Sequence, residues 1–212
     1  MTDVAETKHD RIARRQVDKF EARRTQLATD ALHTLAELGY ARTSLRDIAQ
    51  NSTFSLGVMH YYFADKRDLV TQAVRQYEAV CVTRYDEVVA RATGADQLRD
   101  EFVEMFFDTL AEDAALHRLW YDLRNQSLFD ESFRADVLEI DGHREAMVWR
   151  VVSRYAELRG AQVVSAPGPA YTLLDGIFHR ALLHHLTGRS EDVATLRTEL
   201  PNVMDYLVDG PQ

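Results

Sequence analysis

The sequence predicts an all-α protein in which a small N-terminal domain precedes a larger helical body. All four prolines lie at Pro167 or beyond, so the preceding chain can form long uninterrupted helices. We find no alternating apolar and polar segment of strand length and no internal repeat. Charge also divides the chain: residues 1–67 carry 11 lysines and arginines against 9 acidic residues, and residues 68–212 carry 14 against 25. Only the first part suits a polyanion such as DNA.

Three helices are predicted in the N-terminal domain: a long one that ends at Leu38, and two short ones over 45–51 and 56–62. Gly39 supplies the left-handed residue that ends the first helix. Ser44 and Ser55 are suitable N-caps for the two short helices. Helices of about seven residues are unstable alone and persist when they pack on a third helix, as they do in helix-turn-helix DNA-binding domains.

The body is predicted to begin with a long helix that Asp65 caps, which places the domain boundary at 67/68 and gives domains 1–67 and 68–212. Gly94, Gly160 and Gly188 separate further helical segments. Pro201 should kink or split the last helix. The expected helices cover 66–92, 95–111, 114–128, 130–159, 170–186 and 191–207.

An ordered set of motifs lies within residues 24–70. It consists of Ala31–Gly39 with Tyr40, Thr43–Ala49, Ser55–Phe63, and Lys66 with Asp68 and Leu69. This set resembles the N-terminal DNA-binding domain of the TetR family of bacterial regulators. The chain departs from the family pattern at Thr53, where a turn glycine is usual, at Val58, where a hydroxyl is usual, and at His60, where tyrosine is usual. Two of these departures lie on the expected DNA face, so the resemblance does not identify the operator sequence.

The resemblance implies that the two short helices and the start of the next helix contact duplex DNA. Hydroxyl and backbone N–H groups at helix starts suit phosphate, arginine can pair with guanine, and Gly57 lets the backbone approach the groove closely. The expected DNA-contact residues are Thr43, Ser44, Arg46, Ser55, Leu56, Gly57, His60, Tyr61 and Lys66. For any one of them, a purely structural role as a helix cap or packing residue is the alternative.

The body contains an aromatic group that forms either ordinary core or the wall of a ligand cavity. Family members hold a small molecule between helices of this region, so the resemblance favours the cavity. Arg124, which is flanked by aromatic residues, would suit an anionic or carbonyl-bearing ligand, and Asp175 and His179 share a helix face. The expected ligand-binding residues are Phe102, Phe106, Trp120, Arg124, Trp149, Asp175 and His179.

Together these features predict a ligand-responsive repressor that binds a palindromic operator as a homodimer. We expect the dimer interface in residues 170–207, because apolar residues there cover more than one helix face. Alternatives are a helical protein–protein interaction module and a DNA-binding activator or constitutive regulator. We find no motif of a metalloprotease, a phosphate-binding loop or a serine hydrolase, so we expect no enzymatic activity, metal or cofactor. The single cysteine and the polar N-terminal residues favour a cytoplasmic location, and no apolar run is long enough to cross a membrane.

Overall fold

The computed structural model describes the backbone of residues 8–209 and the side chains of residues 14–208, and it contains only helices in this part of the chain. The all-α prediction is therefore confirmed. The helices are α1 (Lys8–Leu38), α2 (Leu45–Gln50), α3 (Leu56–Tyr62), α4 (Lys66–Cys81), α5 (Asp86–Arg91), α6 (Ala95–Glu112), α7 (Ala114–Gln126), a short 3-10 helix (Glu131–Phe133), α8 (Arg134–Arg159), α9 (Pro167–Leu186) and α10 (Ser190–Asp209).

The chain forms two compact units, Met1–Gln76 and Tyr77–Gln212. The division falls within α4, as does the boundary at 67/68 that the sequence suggests. Helix α4 therefore contributes its first residues to the N-terminal unit and its last residues to the C-terminal unit.

In the N-terminal unit, helices α1, α2 and α3 pack against one another. Leu27 and Leu35 of α1, Ile48 of α2 and Met59 of α3 are completely buried. Burying such a side chain contributes about 1.5–3 kcal/mol, so these few residues hold two short helices that have little stability of their own. Gly39 has a φ of 79° and ends α1, as the sequence predicts.

Thr53, in the turn between α2 and α3, does not carry the strain that a positive φ would impose. Every non-glycine residue in the described part of the chain has a negative φ. The family's usual glycine is thus not required by the backbone geometry of this turn.

The prediction of one continuous helix over 66–92 is wrong. Helix α4 ends at Cys81, and turns with hydrogen bonds from Arg84 N to Cys81 O and from Asp86 N to Thr83 O lead into the separate helix α5. Arg150 fixes this turn, because its Nη2 donates to Val82 O at 2.6 Å and its Nε donates to Asp86 Oδ1 at 2.9 Å.

In the C-terminal unit, α8 packs on α6 and α9, and α10 packs on α6, α8 and α9. Three features of this unit differ from the expected ones. The segment that precedes α8 begins as a 3-10 helix, α9 begins at Pro167, where proline is tolerated in the first helical turn, and α10 continues through Pro201 without splitting. Gly160, with a φ of 66°, ends α8 as predicted.

Candidate nucleic-acid interface and ligand cavity

Most of the residues expected to contact DNA lie on the surface of the N-terminal unit. Leu56 and Lys66 are half-buried, and Thr43 is 3% exposed. The exposed ones are Ser44, Arg46, Ser55, Gly57, His60 and Tyr61. Ile48 of α2 and Met59 of α3 are buried on the side of each helix that faces away from these exposed residues. Their packing fixes the orientation of the exposed side of the helix pair.

The start of α2 is a complete capping box. Asp47 N donates to Ser44 Oγ at 3.2 Å, and Ser44 N donates to the Asp47 carboxylate at 2.8 Å. The Ser44 hydroxyl also donates to this carboxylate at 2.6 Å, and the bonds from Ser44 lower the pKa of Asp47. Thr43 is engaged within the preceding turn, since its hydroxyl donates to Gly39 O at 2.7 Å. Its buried side chain is therefore poorly placed for the expected phosphate contact.

At the C-terminal end of α3, Tyr61 is 72% exposed and its ring lies against Phe20 and Tyr62, with centroid separations of 6.0 and 5.0 Å. Arg24 of α1 holds this end of the helix, because its Nη1 donates to Tyr62 O at 2.8 Å and its guanidinium pairs with Asp68. Burial would raise the pKa of Asp68, but the bonds from Arg24 and the Ala64 N–H outweigh it and lower that pKa. The exposed phenol of Tyr61 therefore lies at a helix end whose position Arg24 fixes.

Lys66, at the start of α4, is directed toward Tyr40. Its Nζ donates to Tyr40 O at 2.9 Å and lies 3.8 Å from the centroid of the Tyr40 ring. The ammonium therefore links α4 to the loop after α1. This residue has a structural role in addition to any phosphate contact.

The C-terminal unit encloses a cavity of about 50 Å³. Of the residues expected to bind ligand, Phe102, Phe106 and Asp175 line it, whereas Trp120, Arg124, Trp149 and His179 do not. The lining is Cys81, Arg84, Tyr85, Phe102, Phe106, Thr109, His117, Arg144, Met147, Val148, Tyr171, Leu174, Asp175 and Phe178.

Arg124 is already neutralised by acidic neighbours. Its Nη1 lies 2.5 Å from Asp175 Oδ2 and its Nη2 lies 3.5 Å from Asp141 Oδ1. Asp175 also accepts a hydrogen bond from Tyr121 at 2.9 Å, and His179 is exposed with its ring stacked 4.2 Å from that of Tyr121. Asp175 and His179, which the sequence places on one helix face, therefore contact different partners. Asp175 pairs with Arg124, and His179 stacks on Tyr121.

The two tryptophans differ in burial. Trp120 is 1% exposed and lies under the guanidinium of Arg144, 4.7 Å from the ring centroid, whereas Trp149 is half-buried. Arg144 forms a buried ion pair with Glu78, with its Nε at 3.0 and 2.9 Å from the two carboxylate oxygens. Their side chains are 6% and 4% exposed, so each charge depends on the other for compensation.

A second polar cluster, which the sequence reasoning missed, surrounds Asp113 at the junction of α6 and α7. Its carboxylate accepts hydrogen bonds from Tyr77 at 3.1 Å and from Arg84 at 2.7 Å, and Thr109 lies 3.4 Å away. His117 Nε2 lies 3.0 Å from the Thr109 hydroxyl and 3.4 Å from that of Tyr77. Thr109, Asp113 and His117 recur every four residues, and this spacing was the available signal that they share one face.

His117 is 2% exposed, and its pKa falls to about 3 because burial, together with the positive charges of Arg144 and Arg84, outweighs the opposite effect of Asp113. The ring is therefore neutral at physiological pH. Two buried nitrogen atoms at the cavity, Arg84 Nη1 and His117 Nδ1, have no hydrogen-bond partner in the described part of the chain. Buried polar atoms without partners are rare in native proteins, so these two atoms are the most unusual feature of the cavity.

The helix-turn-helix geometry agrees with comparisons to known proteins. The sequence profile described as bacterial regulatory proteins of the tetR family matches residues 29–73. A protein named HTH-type transcriptional regulator BetI, from Burkholderia lata, is 30% identical over 117 residues. Residues 29–73 of the chain thus match the DNA-binding region of the TetR family. The alignment with that curated relative covers 54% of this chain and 60% of the relative's length.

Solved structures share the fold of this chain at lower identity. A transcriptional regulator from Saccharomonospora viridis, solved in complex with choline, superposes with a TM-score of 0.71 at 20% identity, covering 89% of this chain and 97% of that one. The regulator FadR from Bacillus subtilis, solved in complex with stearoyl-CoA, gives a TM-score of 0.68 at 18% identity, covering 88% and 98%. At this identity the similarity establishes the fold alone.

The described residues contain neither a membrane-spanning helix nor a cluster of metal-ligating side chains. Between residues 8 and 209, no helix is both long and apolar enough to cross a membrane. Among the side chains of residues 14–208, no group of three or more histidine, cysteine, aspartate or glutamate residues is arranged to hold a metal ion.

Proposed function

We propose that this chain is a homodimeric transcriptional repressor of the cytoplasm that binds a palindromic operator and is released from it by a small molecule. The observation that carries the proposal is the exposed face of α2 and α3, where Arg46, Gly57, His60 and Tyr61 stand on helices anchored by buried residues. Side chains held this way can reach base edges and phosphates without first being ordered, which reduces the entropic cost of binding.

In this proposal, some residues read the operator sequence and others position the protein on the DNA backbone. Arg46 and His60 contact base edges, Gly57 and Leu56 allow close approach to the groove, and Tyr61 donates its phenol to a phosphate. Ser44, Ser55 and Lys66 contribute to the phosphate contacts in addition to their structural hydrogen bonds.

The homodimer is proposed to form through α9 and α10. Besides the side chains that α9 buries, Leu173, Leu183 and Leu186 are 38%, 59% and 44% exposed, and Tyr206 of α10 is 51% exposed. A second copy of the chain would cover these residues in a twofold four-helix interface. Two recognition helices would then reach successive major grooves roughly 34–36 Å apart.

The effector is proposed to act from the cavity of the C-terminal unit. Cys81, the last residue of α4, lines that cavity, and the first residues of α4 belong to the N-terminal unit. Phe102, Phe106 and Asp175 remain proposed ligand contacts. Trp120, Arg124, Trp149 and His179 would affect the ligand only through neighbouring side chains. The solved relatives that carry choline and stearoyl-CoA support a ligand response in this fold without defining the ligand of this chain.

The test is fluorescence anisotropy with duplexes from the DNA adjacent to its own coding region, chosen for inverted repeats. Tyr61→Phe removes one neutral hydroxyl and keeps the ring, so it should weaken binding about equally on all sequences and leave the salt slope unchanged. Arg46→Ala should instead relax base preference at one position, at a cost of roughly 1–3 kcal/mol. His143→Gln, at an exposed position of α8 outside the proposed dimer interface, is the control. If the Tyr61 and Arg46 variants both bind like the parent protein, the proposed DNA face is wrong.

A further inference from the structure

The cavity of the C-terminal unit combines an apolar wall with a localised polar end. Phe102, Phe106, Met147, Val148 and Phe178 supply the apolar part. The polar end is the cluster around Asp113, to which Arg84 and His117 contribute the two nitrogen atoms without partners. A site that is mainly apolar with a few placed polar groups is typical of small-molecule binding.

The Asp113 cluster leaves two polar atoms of the cavity lining without partners. Tyr77 donates its hydroxyl hydrogen to Asp113 at 3.1 Å. The Thr109 hydroxyl donates to Asp113 at 3.4 Å and lies 3.0 Å from His117 Nε2. His117 Nδ1 and Arg84 Nη1 are the unpartnered atoms, and a guanidinium nitrogen is always an N–H donor.

The second branch of Arg84 is free for a ligand while the first is fixed. Its Nη2 donates to Asp113 at 2.7 Å, which orients the guanidinium. The buried Nη1 is the branch without a partner among the described residues. A preorganised donor of this kind binds an oxygen acceptor at low entropic cost.

We propose that the cavity binds a compact, mainly apolar molecule with one oxygen acceptor group, a carbonyl or a carboxylate, that accepts a hydrogen bond from Arg84 Nη1 next to His117 Nδ1. This ligand class rests on the proposed function in that its binding is expected to release DNA. The cavity volume is about 50 Å³, against roughly 150 Å³ for a cavity that holds benzene, so the lining must move to admit a phenyl ring and must rearrange further to admit a long acyl chain.

The experiment is isothermal titration calorimetry of the full chain with four probes that share a phenyl ring: benzoate, acetophenone, toluene and benzyltrimethylammonium. We expect benzoate and acetophenone to bind at least about tenfold more tightly than toluene, because only they accept a hydrogen bond from Arg84 Nη1. Benzyltrimethylammonium should bind no better than toluene. The order of benzoate and acetophenone then distinguishes a carboxylate from a carbonyl ligand.

Two variants separate hydrogen bonding from folding. Arg84→Lys keeps a cation beside Asp113 but lacks the second donor branch, and Arg84→Gln removes the charge. Both should reduce benzoate affinity about tenfold and leave toluene affinity unchanged. The control Arg197→Lys, at an exposed ion pair with Glu104, should bind all probes like the parent. If toluene matches benzoate, if the Arg84 variants weaken every probe equally, or if no probe binds, the inference is overturned.

Parallel anisotropy measurements on the operator distinguish this inference from the proposed function. Operator binding without binding of any probe would overturn the ligand class and leave the DNA-binding function standing. Probe binding with no effect on operator affinity would support the ligand class and reject the release mechanism. Probe binding by a chain that binds no operator would reject the regulator itself.

Discussion

Acidification from pH 7 to pH 5 should destabilise the C-terminal unit through His117. The ordinary histidine pKa is 6.5, whereas burial beside Arg144 and Arg84 lowers the pKa of His117 to about 3. The unfolded chain therefore takes up a proton between these two pH values and the folded chain does not. Stability from this group is fully present above pH 6.5 and is lost as the pH falls toward 3.

The loss of unfolding free energy between pH 7 and pH 5 depends mainly on the pKa of this histidine in the unfolded chain, because its pKa in the folded chain lies below both pH values. A group with an unfolded pKa of 6.5 loses about 2 kcal/mol of stabilisation over this interval. Most carboxylates titrate at lower pH and contribute little here. The effect is a substantial part of the total stability of an ordinary domain.

The assay is urea unfolding at both pH values, followed by the fluorescence of Trp120 and Trp149, which both lie in the C-terminal unit. His117→Gln keeps a polar side chain without a titrating ring, so its free energy of unfolding should fall about 2 kcal/mol less than that of the parent. His143→Gln, at an exposed position, should behave like the parent. Equal pH dependence in the parent and His117→Gln would refute the reasoning.

Three further predictions concern stability and assembly. Glu78→Gln should lower the free energy of unfolding by about 3 kcal/mol, because it leaves the charge of Arg144 buried without compensation. Urea unfolding followed by tryptophan fluorescence measures this loss, and a loss below about 1 kcal/mol would contradict the buried pair. Ser44→Ala should destabilise the N-terminal unit by about 1 kcal/mol through loss of the capping box, measured by thermal unfolding in far-ultraviolet circular dichroism, and no change would mean that the cap is dispensable. Leu183→Glu should shift the protein toward monomer in sedimentation at micromolar concentration, whereas Leu128→Glu, at an exposed position outside α9 and α10, should not. A dimer unaffected by Leu183→Glu would place the interface elsewhere.

The N-terminal unit was largely predictable because its structure depends on local signals. Gly39 ends α1, Ser44 and Ser55 cap the short helices, and Met59 is buried at the position that helical spacing indicates. These signals act within a few residues of the chain, so the sequence contains them directly. The exposed side chains of α2 and α3 follow from the same periodicity.

The ligand cavity was less predictable because its polar end depends on contacts distant in sequence. Arg124 was chosen for its aromatic neighbours in the sequence, but Asp175, 51 residues away, neutralises it. Arg84 carried no such signal, and it meets Asp113 across 29 residues. Neither pairing could be derived without the packing of the helices, since charge alone does not specify which arginine is compensated.

The end of α4 at Cys81 connects the fold to the proposed regulation. No glycine or proline between residues 66 and 92 indicated this break. Instead, tertiary contacts replace the lost helical bonds: Arg150 binds the Val82 carbonyl, and Arg84 is held by Asp113. A ligand that binds Arg84 therefore acts on the residues that immediately follow a helix shared by both units. It shifts DNA affinity only through different affinities for two conformations of this segment, and a tenfold difference corresponds to about 1.4 kcal/mol.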